Sequence, residues 1–498
     1  MWQAMALTLI CATLSVSQGP APPPERFWSP TDSVRAAVTD LRTLPEGVRY
    51  YTRYLDLGPF GVKDRTELIQ VLSGHLNSLS SEPDLVAPVV VAGTSGALLR
   101  VNLLDYGWKE RRHIWERLAD ADPYYQINLT GSDDLNWAGG TWNDGLHYDH
   151  GAFRWKRPKR ALAPWLSEGP GGQQALAELV ALAGSSRAPI VRGDWFLWQT
   201  VIQENRVPGY ADFLGIGNQK QFESLVRFDG KLAAKLEQRR VVVFSGIALQ
   251  PRRVERTHTV LGGLWRTFDV ELAQGKSNPL RVLDNEFEFN ATRQFAPLPN
   301  GLPVWWLANN KGVRQSKAPD QIVGGDRFGG GNDTRLHLGL SCWRCHFSGK
   351  EEMGIKPLDA VPIRKIAALD YEKFVELRRQ YLRDVNPLIA IDRAMYASAV
   401  LKATGGMEPQ AYAAALQRWY GYRDDARVDL AWAARDIGMS AAVFKLKLQA
   451  VDATGTLDPV LGLLMNGGAV PVRMWEECIP LAQIAARGYV LPRTARVR

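Results

Sequence analysis

Hydrophobic and polar positions alternate with two different periods along this chain, and the balance between the periods changes with position. Short apolar, β-branched runs predict strands at residues 89–91, 98–103, 190–192, 241–244 and 286–289. Apolar residues spaced three and four apart predict helices over 64–80, 113–120 and 173–182, and Ser29-Pro30 is a typical helix start. Helices interspersed with strands predict an α+β fold for this part of the chain.

The last third of the chain has helical periodicity. One helix is predicted to begin at Asp370. Further helices are predicted over 389–404, 409–420, 428–437 and 441–451. Gly405 and Gly438 follow two of these segments, at positions where a left-handed residue ends a helix. The change of pattern predicts an N-terminal mixed α+β domain over 29–295, with a mainly α-helical region after it.

The first seventeen residues have the layout of a secretory signal peptide. Ala4 to Val16 are apolar or small, and Ser15-Val16-Ser17 is a small-x-small cleavage site. The apolar run is too short to cross a bilayer, and residues 18–28 form a proline-rich linker. We therefore expect a periplasmic or extracellular protein without a transmembrane helix in its mature chain.

Composition fits a globular protein that carries a moderate positive charge. The chain has 498 residues, of which 46% are hydrophobic, and a net charge of +8. Basic runs at 109–113 and 156–160 are either solvated surface or a face that attracts an acidic redox partner. We expect no nucleic-acid partner, because no matching motif is present. The sequence does not determine the oligomeric state.

One motif, C-x-x-C-H at residues 342–346, indicates a specific chemistry. It is the attachment sequence for c-type haem, in which Cys342 and Cys345 add to the haem vinyl groups and His346 becomes the proximal iron ligand. Two intervening residues let one helical turn present both sulfurs to the same porphyrin edge. Covalent attachment takes place outside the cytoplasm, which agrees with an export signal. The sequence thus predicts one covalent haem c in a cytochrome c-like helical domain over 296–498.

The same cysteine pair has two other interpretations. C-x-x-C can be a redox dithiol or half of a zinc site. Zinc would need two further ligands, and the remaining thiols are Cys11, in the predicted signal peptide, and Cys478, which has no Cys or His near it in sequence. A dithiol normally follows a strand of a βαβ unit, whereas a glycine-rich loop at 324–332 precedes this motif. Haem is favoured, and both other interpretations stay open.

The second axial position on the iron is left undecided by the sequence. Low-spin electron-transfer cytochromes place a distal Met or His there. The candidates in this chain are Met353, His337, His75, Met395, Met407 and Met439. Met407 lies at a typical distance downstream, whereas His75 would require the N-terminal domain to fold onto the haem. His337 and Met353 are so close to the motif that the chain would have to turn back tightly. An open distal position is the remaining alternative.

Several stretches of the chain carry a resemblance to a known family. They are residues 76–80, 99–108, 192–196, 298–302, 318–323 and 339–346. In this order they resemble large exported bacterial proteins of planctomycete type that contain a single-haem cytochrome c domain, over most of residues 30–480. The resemblance implies export and haem, and it implies no substrate.

Three functions are consistent with one covalent haem. A single-haem electron carrier or electron-relay subunit needs a six-coordinate iron, and this function is favoured. A haem enzyme, peroxidase-like or a small-molecule oxidoreductase, needs an open distal position and polar groups above the iron. His147 and His150 are candidates for such groups. The third function is a structural subunit of a cell-envelope assembly that carries a haem module.

Overall fold

The structure is a computed structural model. It describes residues 28–125, 146–149, 152–155, 170–202, 207–236, 238–243, 250–282, 286–318, 338, 342, 355–356, 372, 375–376, 379, 381, 385–455 and 457–486. The α-helices of these residues, α1 to α15, are Pro30–Thr43, Glu46–Arg49, Val62–Ser78, Arg112–Ala119, Pro170–Leu182, Gly193–Ile202, Tyr210–Leu214, Gln219–Leu225, Gly230–Lys235, Asn386–Ala403, Pro409–Asp425, Leu430–Asp436, Ala441–Asp452, Pro459–Met465 and Val472–Ala486. The strands, β1 to β14, are Thr52–Asp56, Val89–Val90, Leu98–Asn102, Leu146–Asp149, Ala152–Trp155, Ile190–Arg192, Arg239–Val243, Arg252–Thr259, Gly262–Asp269, Ala291–Pro297, Pro303–Asn309, Ile355–Lys356, Arg427–Val428 and Val470–Pro471.

Helix α1 begins where the sequence predicts, and a capping box explains why. The Ser29 side chain accepts a hydrogen bond from the Asp32 backbone N–H, and the Asp32 carboxylate accepts one from the Ser29 backbone N–H. Two of the helix's otherwise unpaired N–H groups are thereby satisfied. At helix C-terminal ends, Gly405 and Gly438 have φ values of 69° and 73°. They adopt the predicted left-handed conformation after α10 and α12.

A four-stranded sheet forms the centre of the N-terminal part. Its strand order is β2-β3-β1-β6, with β1 antiparallel to β3 and parallel to β6. Tyr54 of β1 and Arg100 of β3 are register partners. Both reach Asp40 of α1, the hydroxyl and the guanidinium each at 2.8 Å. Helix α1 therefore covers this face of the sheet.

The two parallel strands end at a polar boundary. Asp56 and Arg192 are the last residues of β1 and β6 and are register partners. Helix α6 begins at the next residue, Gly193. Polar side chains gather where parallel strands end because the chain leaves the sheet there on several neighbouring segments. This edge positions the charged cluster described below.

The second sheet is antiparallel and lies between helices. Its strand order is β11-β10-β9-β8-β7-β12. On one face, Arg256 and Trp265, which are register partners, both bind Asp392 of α10. On the other face, Phe222 of α8 stacks on Trp306 with ring centroids 5.6 Å apart. Because both faces are covered, β8 buries charged residues as ion pairs, such as Arg252 with Asp269 and Arg253 with Glu255.

The C-terminal helices share a core with the N-terminal sheet. Helix α3 contacts α6, α10 and α11, and one continuous cluster of buried apolar residues extends from Val34 to Ala486. The predicted boundary between residues 295 and 296 falls inside β10, whose neighbours β9 and β11 lie on opposite sides of it in sequence. The mixed α+β class is confirmed, and residues 385–486 are mainly helical. The division into two domains stays a prediction.

One predicted strand is wrong. Residues 286–289 do not join a sheet. Phe287 and Phe289 instead pack against Phe268 of β9, with ring centroids 6.5 and 5.0 Å away. The alternation of Phe with Glu therefore marks a loop segment with one buried side, which has the same period as a strand.

Among the described residues, no helix combines the length and the apolar composition that a bilayer crossing requires.

The close contact between α3 and α11 gives a first testable prediction. A methyl group on Gly74 would lie 2.7 Å from the Tyr412 hydroxyl and ring, closer than atoms in contact can stand. We expect Gly74→Ala to lower the free energy of unfolding by about 1–3 kcal/mol, since the rigid ring must shift. Denaturant unfolding measures this loss. Gly47→Ala is the matched control, because nothing lies within 4 Å of the added methyl; an equal effect of both substitutions would contradict the packing explanation.

Candidate functional site

Of the C-x-x-C-H motif, the structure describes the first residue, Cys342. Cys342 is half-buried and packs against the main core cluster. Just before it, Leu338 is buried and its backbone N–H donates to the Ser316 carbonyl at 2.9 Å. This bond fixes the segment beside the residues that follow β11. Four of the predicted site residues, Cys345, His346, His337 and Met353, lie outside the described residues.

Tyr210 is the neighbour that defines the surroundings of Cys342. The Tyr210 hydroxyl accepts a hydrogen bond from the Trp305 backbone N–H at 3.0 Å and lies 3.4 Å from the Pro303 carbonyl oxygen. Burial raises the pKa of Tyr210 well above its usual value, and the nearby Cys342 thiol adds to the rise. Helix α7 and strand β11 therefore meet beside the first cysteine of the motif.

Met407 lies in a well-defined turn between α10 and α11. Its backbone N–H donates to the Thr404 hydroxyl at 3.0 Å, and that hydroxyl lies 3.2 Å from the Met407 carbonyl oxygen. Gly405 and Gly406 both have positive φ and allow the chain to reverse here. The Met407 side chain is half-buried against the main core. Its thioether is thus held by a rigid backbone without being enclosed.

His75 is placed very differently, in the interior of α3. It is fully buried, and its Nε2 lies 2.7 Å from the Thr200 hydroxyl oxygen. That hydroxyl donates its only hydrogen to the Phe196 carbonyl at 2.7 Å. It must therefore accept from His75, which assigns the hydrogen of the imidazole to Nε2. Burial lowers the pKa of His75 to about 3, so the ring is neutral at physiological pH.

The two histidines proposed for a distal pocket are only partly located. His147 belongs to β4, which forms a two-stranded antiparallel sheet with β5. His150 lies outside the described residues. Among the described residues, no group of three or more His, Cys, Asp or Glu side chains is placed to hold a metal ion.

The first predicted basic run is only partly available to a partner. Lys109 and His113 are exposed. Arg111 donates to the Phe213 carbonyl at 2.9 Å, and Arg112 stacks on the Tyr50 ring at 3.9 Å. Half of the run therefore holds the fold together. The second run, 156–160, lies outside the described residues.

A second polar site, which the sequence did not reveal, is centred on Arg192. Its guanidinium binds both carboxylate oxygens of Asp194, at 2.9 and 3.2 Å, and one oxygen of Asp436 at 3.2 Å. It also stacks on the Tyr124 ring at 4.0 Å. The Tyr124 hydroxyl donates to Glu476 at 3.0 Å, and Glu476 forms an ion pair with Arg423. We call these residues and Asp122 the Arg192 cluster: Asp122, Tyr124, Arg192, Asp194, Arg423, Asp436 and Glu476.

Asp122 ties the backbone of the cluster together. Its two carboxylate oxygens accept from the Tyr124 N–H at 2.8 Å and the Arg192 N–H at 3.0 Å. Burial raises the pKa of Asp122 to about 7 and that of Asp436 to about 6. Although burial lowers the pKa of Arg192, its interactions with Asp194, Tyr124 and Asp436 raise it well above the usual value. The arginine therefore stays charged, whereas Asp122 and Asp436 change their charge as the pH passes through about 7 and about 6, respectively.

The local sequence contains one signal of this cluster. An arginine directly ends the apolar strand Ile190-Val191 and is followed by Gly193-Asp194. A charge at the end of a buried strand needs a partner, and Asp194 supplies one within the same turn. Asp436 and Glu476 are more than 200 residues further along the chain, so pattern analysis cannot connect them to Arg192.

No protein-family model, curated protein or solved structure matches the chain.

Proposed function

We propose that this protein is an exported c-type cytochrome with a single haem, which transfers or relays electrons. The observation that carries the proposal is the C-x-x-C-H sequence at residues 342–346. Its donor set fits haem c, with two thiols for the vinyl groups and one imidazole for the iron. In this proposal Cys342 and Cys345 hold the porphyrin, His346 is the proximal ligand, and the helices after residue 385 belong to the haem lobe.

The surroundings of Cys342 support a redox role. Cys342 packs against an apolar core, and Tyr210 fixes the neighbouring start of β11. When bound, haem supplies reversible exchange of one electron. Burial against apolar groups favours the less charged, reduced iron and so raises the reduction potential. The chain's own contribution is to hold the half-buried cysteine against the core.

We propose Met407, rather than His75, as the distal ligand. Its thioether is half-buried at a rigid turn, whereas the Nε2 of His75 already donates to Thr200 inside the core. Binding of iron to His75 Nε2 would break that hydrogen bond and open a fully buried helix face. In this tautomer Nδ1 carries the lone pair that a metal would need, but His75 is fully buried inside α3, so iron would reach it only if the core opened.

The proposal is tested by visible spectra and carbon monoxide binding. We expect low-spin spectra in both oxidation states and weak carbon monoxide binding by the wild type, because Met407 occupies the sixth position. Met407→Ala should open this position, so that reduced protein binds one carbon monoxide per haem. Met395→Ala is the control, since Met395 is 42% exposed on α10.

The contrary results are equally informative. Stoichiometric carbon monoxide binding by the wild type would overturn the electron-carrier proposal and leave the haem enzyme as the better function. Unchanged low-spin spectra in Met407→Ala would exclude Met407 as the ligand.

A further inference from the structure

The Arg192 cluster holds more negative groups than positive ones. Four carboxyl groups, on Asp122, Asp194, Asp436 and Glu476, face two guanidinium groups, on Arg192 and Arg423, and all are 5% exposed or less. Arg435 also faces Asp436, so if every one of these described groups were ionised, at least one negative charge would remain uncompensated in the buried cluster. Such charges are costly enough that a carboxyl group binds a proton instead.

The cluster also joins two parts of the fold. Asp122, Arg192 and Asp194 come from the ends of segments beside the four-stranded sheet. Asp436 and Glu476 come from α12 and α15. Across this joint, Arg192 binds Asp436 at 3.2 Å and the Tyr124 hydroxyl donates to Glu476 at 3.0 Å. The protonation state of the cluster is therefore coupled to the packing of the C-terminal helices on the sheet.

We propose that the Arg192 cluster is a proton-operated latch, which holds the C-terminal helices on the sheet when its surplus carboxyl groups are protonated and loosens when they ionise. The proposal does not depend on haem. It makes the packing at this joint sensitive to a rise in pH from mildly acidic to neutral.

Charged and titratable groups face the two key aspartates from every neighbouring element. Around Asp122 these groups are Tyr124, Tyr125, Arg192 and Asp194. Around Asp436 they are Tyr124, Arg192, Asp194, Tyr422 and Arg435, and the Trp475 indole donates to Asp436 at 2.9 Å. Asp56, which accepts from the Tyr125 hydroxyl at 2.8 Å, is the next carboxyl group along the sheet edge. Burial raises its pKa as well.

The direction of the pH effect follows from these values. The folded-state pKa of Asp122 is about 7 and that of Asp436 about 6, against about 4 for an unfolded aspartate. The folded protein thus binds more protons between about pH 4 and pH 7. The stabilisation by these two groups is complete below pH 4 and is lost as the pH rises through 6 and 7. His75 acts in the opposite direction, because its pKa of about 3 makes its burial unfavourable below about pH 6.5.

The experiment isolates Asp122 from such opposing groups. Denaturant unfolding of the wild type and Asp122→Asn is compared from pH 5 to pH 8, and the difference between the two cancels every shared contribution. We expect the ratio of their unfolding constants to change by about 100-fold over this range, since about one proton is released over about two pH units. Relative to the wild type, the Asp122→Asn variant should be more stable at pH 8 than at pH 5. Asp120→Asn, at an exposed residue nearby, should give a constant ratio.

A ratio for Asp122→Asn that stays constant from pH 5 to pH 8 would overturn the latch. If Asp122→Asn does not fold, infrared spectra of the wild type answer the same question. A protonated buried carboxyl band at pH 6 that disappears by pH 8 to 9 and loses intensity in Asp436→Asn supports the proposal, and its absence at pH 6 refutes it. Neither measurement requires haem, so failure here is separate from failure of the proposed function.

Discussion

Replacing both Cys342 and Cys345 with serine should leave the exported protein without any covalently bound haem. Serine hydroxyls do not add to the haem vinyl groups, so the two thioether bonds cannot form. Haem staining after denaturing electrophoresis measures this loss directly, and the expected change is from one haem per chain to none. The expression host must export the chain and carry a haem-attachment system.

Cys478→Ser is the matched control. Cys478 is buried beside Asp458, and burial raises the pKa of its thiol far above the usual value, so it is an unreactive structural residue. This variant should keep the full haem stain. A wild type that shows no haem mass under these conditions would refute the cytochrome proposal, and a zinc or dithiol site would then be the interpretation to test.

Replacing Arg192 with methionine should cause the largest loss of stability of any single change proposed for this protein. Methionine retains an unbranched side chain that fills the space of the arginine's aliphatic part, but it lacks the charge that compensates Asp194 and Asp436. Breaking a buried ion pair on one side typically costs about 3–5 kcal/mol, a large part of the about 5–15 kcal/mol that stabilises a typical domain. Denaturant unfolding at pH 7 measures the effect.

The control for this change is an exposed ion pair. Arg42 binds Glu178 from a side chain that is 62% exposed, and Arg42→Met should cost no more than about 1 kcal/mol. We also expect the loss in Arg192→Met to be smaller at pH 5 than at pH 7, because Asp436, whose pKa burial raises to about 6, can then take up a proton. A cost below about 1 kcal/mol at pH 7 would show that the cluster contributes little to the fold.

The elements that sequence analysis predicts well are those with local causes. Helix α1 follows from the Ser29 capping box and Pro30, and the ends of α10 and α12 follow from glycines that adopt positive φ. Strand β6 matches its predicted bounds because Ile190-Val191 is a short, fully buried apolar run. In each case the residues that decide the structure lie within a few positions of one another.

The second sheet contains strands that the sequence pattern does not predict. Strand β8 contains Arg252, Arg253, Glu255 and Arg256, all buried, which reads as a polar surface segment in sequence. Its partners are distant: Asp269 pairs with Arg252 and Asp392 with Arg256. A strand that buries ion pairs on both faces has no apolar alternation to detect.

The same contrast between local and distant causes separates the C-x-x-C-H motif from the Arg192 cluster. C-x-x-C-H is readable because all of its groups are contiguous, and haem remains a prediction from those residues. The Arg192 cluster is assembled from segments that the chain brings together only on folding. Its pairing of Arg192 with Asp436 spans 244 residues, and that of Tyr124 with Glu476 spans 352.

These spans have a consequence for the order of folding. The joint between sheet and helices cannot close until α15, near the C-terminal end of the described chain, has been delivered. Contacts of such long sequence separation form slowly, since a large loop must be closed first. In an exported chain, residues 342–346 would emerge from the membrane well before Glu476 does. Haem attachment would then precede the final closure of the core, and the modifying enzymes would meet the cysteines while they are still accessible.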